Sequence, residues 1–309
     1  MRISILGLGA IGSVVASCLA STEHELHLHV RGERGARLML QGIDVSGFGA
    51  SSYGAERFRF SCEELEVPNE LIGGSDLVIL ACKSYAVSSM SGLAKALLKN
   101  DGVALAISNG LGHHERLSQQ LSHHRVLAAT TTHGAYRGED GAVVWAGKGA
   151  FNLASPPFGP SIQVMEHVES VIKAGGLNPM IYADAASMVW EKVLLNVCIN
   201  PLAALAGLRN GELLGPELFG ACMMVYQEAA KIAELERVVV LDEAAFEKRL
   251  RNVLESTHDN HCSMLQDLKT GRPTEIGALN QAIVLLAEEH GVPVPLNQML
   301  TTLILACQL

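Results

Sequence analysis

The feature that most constrains this chain lies at its start. Gly7-Leu8-Gly9-Ala10-Ile11-Gly12 follows directly on the apolar run of residues 3–6 and opens a stretch of small and apolar residues that reaches Ala20. The bland reading of such a segment is a Gly-rich turn among small residues. With a strand in front and a helix behind, each glycine has a reason. The first permits the tight turn, the second lets a pyrophosphate approach the backbone, and the third lets helix and strand pack closely. The helix N-terminus then faces the anion. Gly7, Leu8, Gly9, Ala10, Ile11 and Gly12 are therefore expected to bind a dinucleotide.

The first half keeps a strand–helix–strand rhythm, with residues 2–6, 11–20, the alternating 25–30, and later 77–82 and 103–107. That rhythm predicts a parallel α/β sheet. Further strand-like pieces fall at residues 126–130, 143–145, 151–153 and 180–182, with a helix at 161–174, and extend the sheet to near Ala183. After Asp184 the texture changes to long runs of helix formers, broken at Gly215-Pro216, at residues 271–273 and at 291–295. The expected fold is α/β, a Rossmann-type parallel-sheet domain over residues 1–183 followed by an all-helical domain over 184–309. A length of 309 residues, beyond what one hydrophobic core usually fills, agrees with two domains.

Composition narrows the partners. The formal net charge is -9 and Lys and Arg are scattered, which argues against a nucleic-acid backbone as the main ligand. No uninterrupted apolar run approaches the roughly 20 residues of a membrane span, and three glycines break the N-terminal stretch, which reads as strand and turn rather than a signal peptide. Seven cysteines without a CxxC pair read as reduced, packed thiols, and the expected location is cytoplasmic. The pairs His113-His114 and His123-His124 lack the partner spacing of a zinc site, so no metal is expected.

The second strand ends at Arg31, where an NAD-binding chain would carry Asp or Glu. A guanidinium there suits a 2'-phosphate, which favours NADP(H). The alternatives are a surface arginine in the charged stretch Arg31-Gly32-Glu33-Arg34, or a ribose held by Glu33. Lys83 and Asn109-Gly110 each follow a strand, at the carboxyl edge where open parallel sheets bind ligands, although both also fit as ordinary loop residues.

In the second domain, residues 190–200 are apolar nearly all round yet carry Lys192, Asn196 and Asn200 at i, i+4 and i+8. At about 100° per residue these fall within roughly 80° of one another, one polar line on an otherwise buried helix. A lysine in a dry site can polarise a carbonyl and protonate the alkoxide that a reduction leaves. Alternatively Lys192 snorkels to solvent and the asparagines cap loops, with Pro201 ending or kinking the helix at Asn200. Ser263 and Glu275 are by themselves ordinary, one placed as a helix N-cap and the other as a first-turn residue favoured by the helix dipole.

GLGAIG at 7–12, CKSYA at 82–86, SNGLG at 108–112, TTTHGA at 130–135, WEKVLLNVCINPLAAL at 190–205, NGEL at 210–213 and SMLQDLKTGRPTEI at 263–276 together resemble the ketopantoate reductase family, in order and across both domains. The resemblance implies NADPH-dependent reduction of the ketone of 2-dehydropantoate, a step toward pantothenate and coenzyme A, in a cleft between the domains. It implies Lys192 as general acid, and Lys83 and Asn109 beside the nicotinamide, with Asn109 also holding the lysine. Asn196 and Asn200 would line the substrate pocket, with Asn210 a further candidate. Ser263 would bind the substrate carboxylate, and Glu275 cofactor or substrate hydroxyls.

One departure stands out. Where members of that family commonly continue Glu-Ile-Asp, this chain has Glu275-Ile276-Gly277. The rival readings are an NADP-linked reductase of another small 2-oxo acid or sugar acid on the same architecture, and a non-catalytic NADPH-binding regulator. The expected partner is a small 2-oxo acid, and the chain acts as a monomer or homodimer.

Overall fold

The computed structural model describes residues 1–138 and 141–308. Contacts divide the chain into two units, one of Met1–Ser108 with Gly112–Met188 and one of Asn109–Leu111 with Val189–Leu309.

The first unit contains β1 (Arg2–Leu6), α1 (Ala10–Ala20), β2 (Glu25–Val30), α2 (Gly32–Gln41), β3 (Ile43–Gly47), β4 (Ser51–Tyr53), β5 (Phe58–Cys62) and β6 (Ser75–Leu80). It continues through α3 (Val87–Leu97), β7 (Leu98–Ile107), α4 (His113–Leu121), β8 (Val126–Thr131), β9 (Gly134–Arg137), β10 (Val143–Gly147), β11 (Phe151–Ala154), α5 (Ile162–Ala174) and β12 (Pro179–Ile181). Eight strands form one sheet in the order β12-β11-β8-β7-β6-β1-β2-β5. Every pairing in it is parallel except β11 against β8.

Both faces of this sheet are covered, and the central strands β1, β6 and β8 are accordingly buried nearly throughout, while β2 and β5 alternate in sequence. Leu77 and Ile79 of β6 point with Ile3 and Ile5 into a core shared with Val15 and Leu19 of α1 and Val168 and Ile172 of α5. Val78 and Leu80 point the other way, toward Val87 and Leu97 of α3 and Leu117 of α4.

A second sheet, β4-β3-β10-β9, was not foreseen. Residues 143–145, expected to extend the main sheet, pair instead with β3 in parallel and with β9 in antiparallel. Strand β6 is present but spans Ser75–Leu80 where 77–82 was expected, and β7 begins at Leu98 rather than at 103.

From α6 onward the described residues form helices only: α6 (Ala185–Ala206), α7 (Pro216–Leu235), α8 (Glu243–Ser256), α9 (Ser263–Lys269), α10 (Asn280–His290) and α11 (Pro295–Ala306). The breakers work as read, with Pro216 and Pro295 in the first turns of α7 and α11, where a missing N–H costs nothing. Helix α6 has the length and apolarity of a membrane span, but 72% of its most apolar window is buried inside the protein, as in a core helix. It also continues past Pro201 to Ala206 rather than ending at Asn200.

Candidate active site

In the first unit, chain order reverses at β1, which has β2 on one side and β6 on the other. The crevice at the carboxyl ends of such strands is where open α/β sheets take ligands. Gly7 follows β1 with φ +96°, and a Cβ there would lie 2.7 Å from the Cys82 backbone nitrogen. The turn after β1 is thus pressed against the turn after β6, which carries Lys83. Ser108 donates to the Cys82 carbonyl at 3.0 Å and gathers the end of β7 to the same edge.

The glycines of the motif divide by what surrounds them. A Cβ on Gly12 would collide with the Gly7 carbonyl, so that glycine serves helix–strand packing. A Cβ on Gly9 meets no atom within 4 Å. Gly9 is the N-cap of α1, and the first turn of that helix has no acidic residue. Open space over amides at a helix N-terminus fits a pyrophosphate, and by that test the residues present suit a dinucleotide.

Arg31 lies where expected, between β2 and α2, two-thirds exposed and 3.9 Å from the Glu63 carboxylate. Two neighbours escaped the sequence reading. Glu64 accepts a hydrogen bond from the Gly32 amide at 2.8 Å, and that bond is the main influence holding its carboxyl below the usual range. Arg34, three residues after Arg31, donates to Ser13 in the first turn of α1 at 3.1 Å. The helical spacing of Arg31 and Arg34 was the available signal.

In the second unit, Lys192 is half-buried in α6. Desolvation by the protein packed round its ammonium pulls it down to about 8, and the Glu275 carboxylate pulls the other way. Glu275 itself is 5% exposed and accepts a hydrogen bond from Asn109 at 2.8 Å. It stands as the N-cap of the short 3-10 turn Ile276–Ala278 rather than in the first turn of a longer helix. The contact depends on Gly110, which at φ +92° passes so close to Ala278 that a side chain there would strike the Ala278 carbonyl. Leu111 donates to that carbonyl at 2.8 Å, sewing the SNGLG segment to the turn after Glu275.

Asn196 is half-buried and Asn200 is 6% exposed, both on α6. Cys262 donates through sulfur to the Asn200 carbonyl at 3.4 Å, which brings the start of α9 against α6. Cys262, not Ser263, is the N-cap of α9, its sulfur accepting from Leu265, so Ser263 becomes the first helical residue and is exposed. Asn210 is 8% exposed, donates to Thr257 at 3.0 Å, and leaves its Oδ1 buried without a donor. Gly277 stands exposed in a 3-10 turn, and a Cβ there would touch only the Gln281 side chain, at 3.4 Å. The carboxylate that the family usually carries there would fit.

A glycine-rich turn at the switch point of a parallel sheet, followed by a helical unit with a desolvated lysine facing a buried carboxylate, defines the class of two-part nicotinamide-dependent oxidoreductases. Residues 3–157 match the family model described as Ketopantoate reductase PanE/ApbA, and residues 184–308 match its C-terminal counterpart. The chain belongs to the ketopantoate reductase family.

It is 32% identical over 313 residues to a 2-dehydropantoate 2-reductase of Halobacterium salinarum, covering 100% of this chain and 99% of that one. It is 30% identical over 307 residues to the 2-dehydropantoate 2-reductase of Pyrococcus horikoshii, covering 99% and 97%. Among solved structures, a D-mandelate dehydrogenase in ternary complex with NADH and anilino(oxo)acetate superposes with a TM-score of 0.89, covering 100% of this chain and 98% of that one. At 23% identity that likeness concerns the fold.

Proposed function

We propose that this protein reduces 2-dehydropantoate to pantoate with NADPH, residues 1–183 holding the cofactor and residues 184–309 carrying the substrate and the acid. The observation that carries the reading is the Lys192, Glu275 and Asn109 set, a desolvated ammonium beside a buried, oriented carboxylate. Gly7, Leu8, Gly9, Ala10, Ile11 and Gly12 would hold the pyrophosphate, with Arg31 at the 2'-phosphate and Lys83 and Asn109 toward the nicotinamide. Bound NADPH supplies a hydride.

As charge grows on the substrate's carbonyl oxygen, the Lys192 ammonium stabilises it and then donates its proton. A lysine lowered to about 8 remains mostly protonated near neutral pH and gives up the proton more readily than an exposed one. Glu275 opposes the desolvation and keeps the proton on Lys192 until it is needed, while Asn109 fixes the carboxylate. Asn196 and Asn200 line the pocket from the same face of α6, and the Ser263 hydroxyl takes the substrate carboxylate. The donor-less Oδ1 of Asn210 suits a substrate hydroxyl. Free cysteines and an acidic net charge accord with a cytoplasmic enzyme, acting as a monomer or homodimer.

Purified protein given NADPH and 2-dehydropantoate should form one pantoate per NADPH consumed. Tight NADPH binding without turnover of any 2-oxo acid would make a non-catalytic regulator the better account. A second reading, with NADH as reductant, draws on the Glu64 carboxylate seated on the Gly32 amide, next to where a 2'-phosphate would lie. Replacing Arg31 with Ala separates the two. A charge-assisted contact contributes roughly 1.5–3 kcal/mol, so NADPH should bind about ten- to a hundredfold more weakly while NADH hardly changes. Equal losses for both cofactors would remove Arg31 from 2'-phosphate recognition.

A further inference from the structure

Helix α6 carries an internal proline, and its continuity needs a cause. Pro201 has no N–H, so the carbonyl four residues earlier, that of Val197, loses its helical donor, and an unpaired buried carbonyl at such a point favours a kink. Asn280, the first residue of α10, is fully buried and donates its side-chain amide to the Val197 oxygen at 3.0 Å. The same amide nitrogen donates to Asn297 Oδ1 at 3.0 Å. Both of its hydrogens therefore point at acceptors, which fixes the orientation of the amide.

Asn297 is oriented in turn. Its own amide nitrogen donates to Glu228 Oε2 at 2.9 Å, and the Leu296 and Asn297 backbone amides hold that carboxylate, each at 3.0 Å. Glu228 of α7, Asn297 of α11 and Asn280 of α10 thus form a relay that ends on the one carbonyl that Pro201 strands.

We propose that Asn280 is a positioning residue for the reaction, supplying the hydrogen bond that Pro201 withholds and keeping α6 in line from Lys192 to Asn200. Val197 adjoins Asn196 and lies between Lys192 and Asn200, so a bend at this point would turn the polar line out of register. Asn280 also stands five positions after Glu275, and its bond to α6 ties the segment bearing the carboxylate to the helix bearing the lysine. The inference rests on Lys192 being the acid, which the Lys192→Ala variant tests on its own.

The experiment is a double-mutant cycle of Asn280→Leu and Pro201→Ala, because alanine at 201 restores a backbone N–H for the Val197 carbonyl. Asn280→Leu alone should lower kcat at least about tenfold, with NADPH affinity by fluorescence titration within about twofold of wild type. Pro201→Ala alone should stay within about threefold of wild type in kcat, and the double variant should return to within about threefold of Pro201→Ala. The melting temperature should show the same rescue, whatever the role of Lys192. Should Asn280→Leu fail to fold, a folded and active double variant supports the proposal. A double variant as impaired as Asn280→Leu, or no loss in Asn280→Leu itself, overturns it.

Discussion

Lys192 sits under two opposed influences, desolvation that favours losing its proton and the Glu275 carboxylate that favours keeping it, and the balance is a pKa of about 8. In the proposed role of proton donor the group must be charged, so kcat should be flat at neutral pH and fall as pH rises through about 8. Glu275→Gln removes the influence that raises the pKa, so the fall should begin at lower pH. An unmoved midpoint in the pH–rate profile of that variant would separate Glu275 from the acid. Lys192→Ala should lower turnover at least about a hundredfold, the usual scale for a lost general acid, with NADPH affinity near wild type by titration.

Among the elements, the turn from β1 to α1 makes a sharp prediction because its glycines have different surroundings. Gly12→Ala drives a methyl into the Gly7 carbonyl and should cost at least about 2 kcal/mol in urea unfolding, as overpacking does. Gly9→Ala enters open space at an ordinary φ of -67°, so stability should hold while NADPH affinity falls at least about tenfold. Unchanged NADPH binding by Gly9→Ala would mean that the pyrophosphate lies elsewhere.

This turn was legible from sequence because everything that defines it is local. So were β1 and β2, whose bounds match the reading residue for residue. The second sheet was not, since β3 is a short strand of mixed polarity whose partner β10 lies about a hundred residues away, beyond any local pattern. The course of α6 through Pro201 was hidden for the same reason, its replacement donor being Asn280. The candidate residues of α6 were visible from their helical spacing. The burial of Glu275 was not, because the turn at Gly110 that brings Asn109 to it comes from far away in sequence.

For the whole molecule, acid is the expected weakness. His27, fully buried between Ser4 and Ser61, is lowered to about 4 by desolvation, with lesser contributions from His29 and Arg2. His133 is likewise lowered to about 4, by desolvation and then by Lys148. Both histidines are neutral when folded but take up protons near 6.5 once unfolded, so stability is lost as pH falls from 6.5 toward 4. Between pH 7 and pH 5 each should remove about 2 kcal/mol from the urea-unfolding free energy, and His27→Gln should flatten that slope. Equal slopes in the two proteins would mean that His27 already titrates normally in the fold.

The family and the site point to one chemistry, and substrate choice tests it most directly. A site built to pair a substrate hydroxyl discriminates strongly against an analogue that lacks it, because its own polar groups are left unpaired. The measurement is kcat/KM with NADPH for 2-dehydropantoate and for 2-oxoisovalerate, which lacks the hydroxymethyl group. A preference of at least about a hundredfold for 2-dehydropantoate is the predicted result. Comparable values for the two acids would contradict the account and make this chain a reductase of another 2-oxo acid on the same fold.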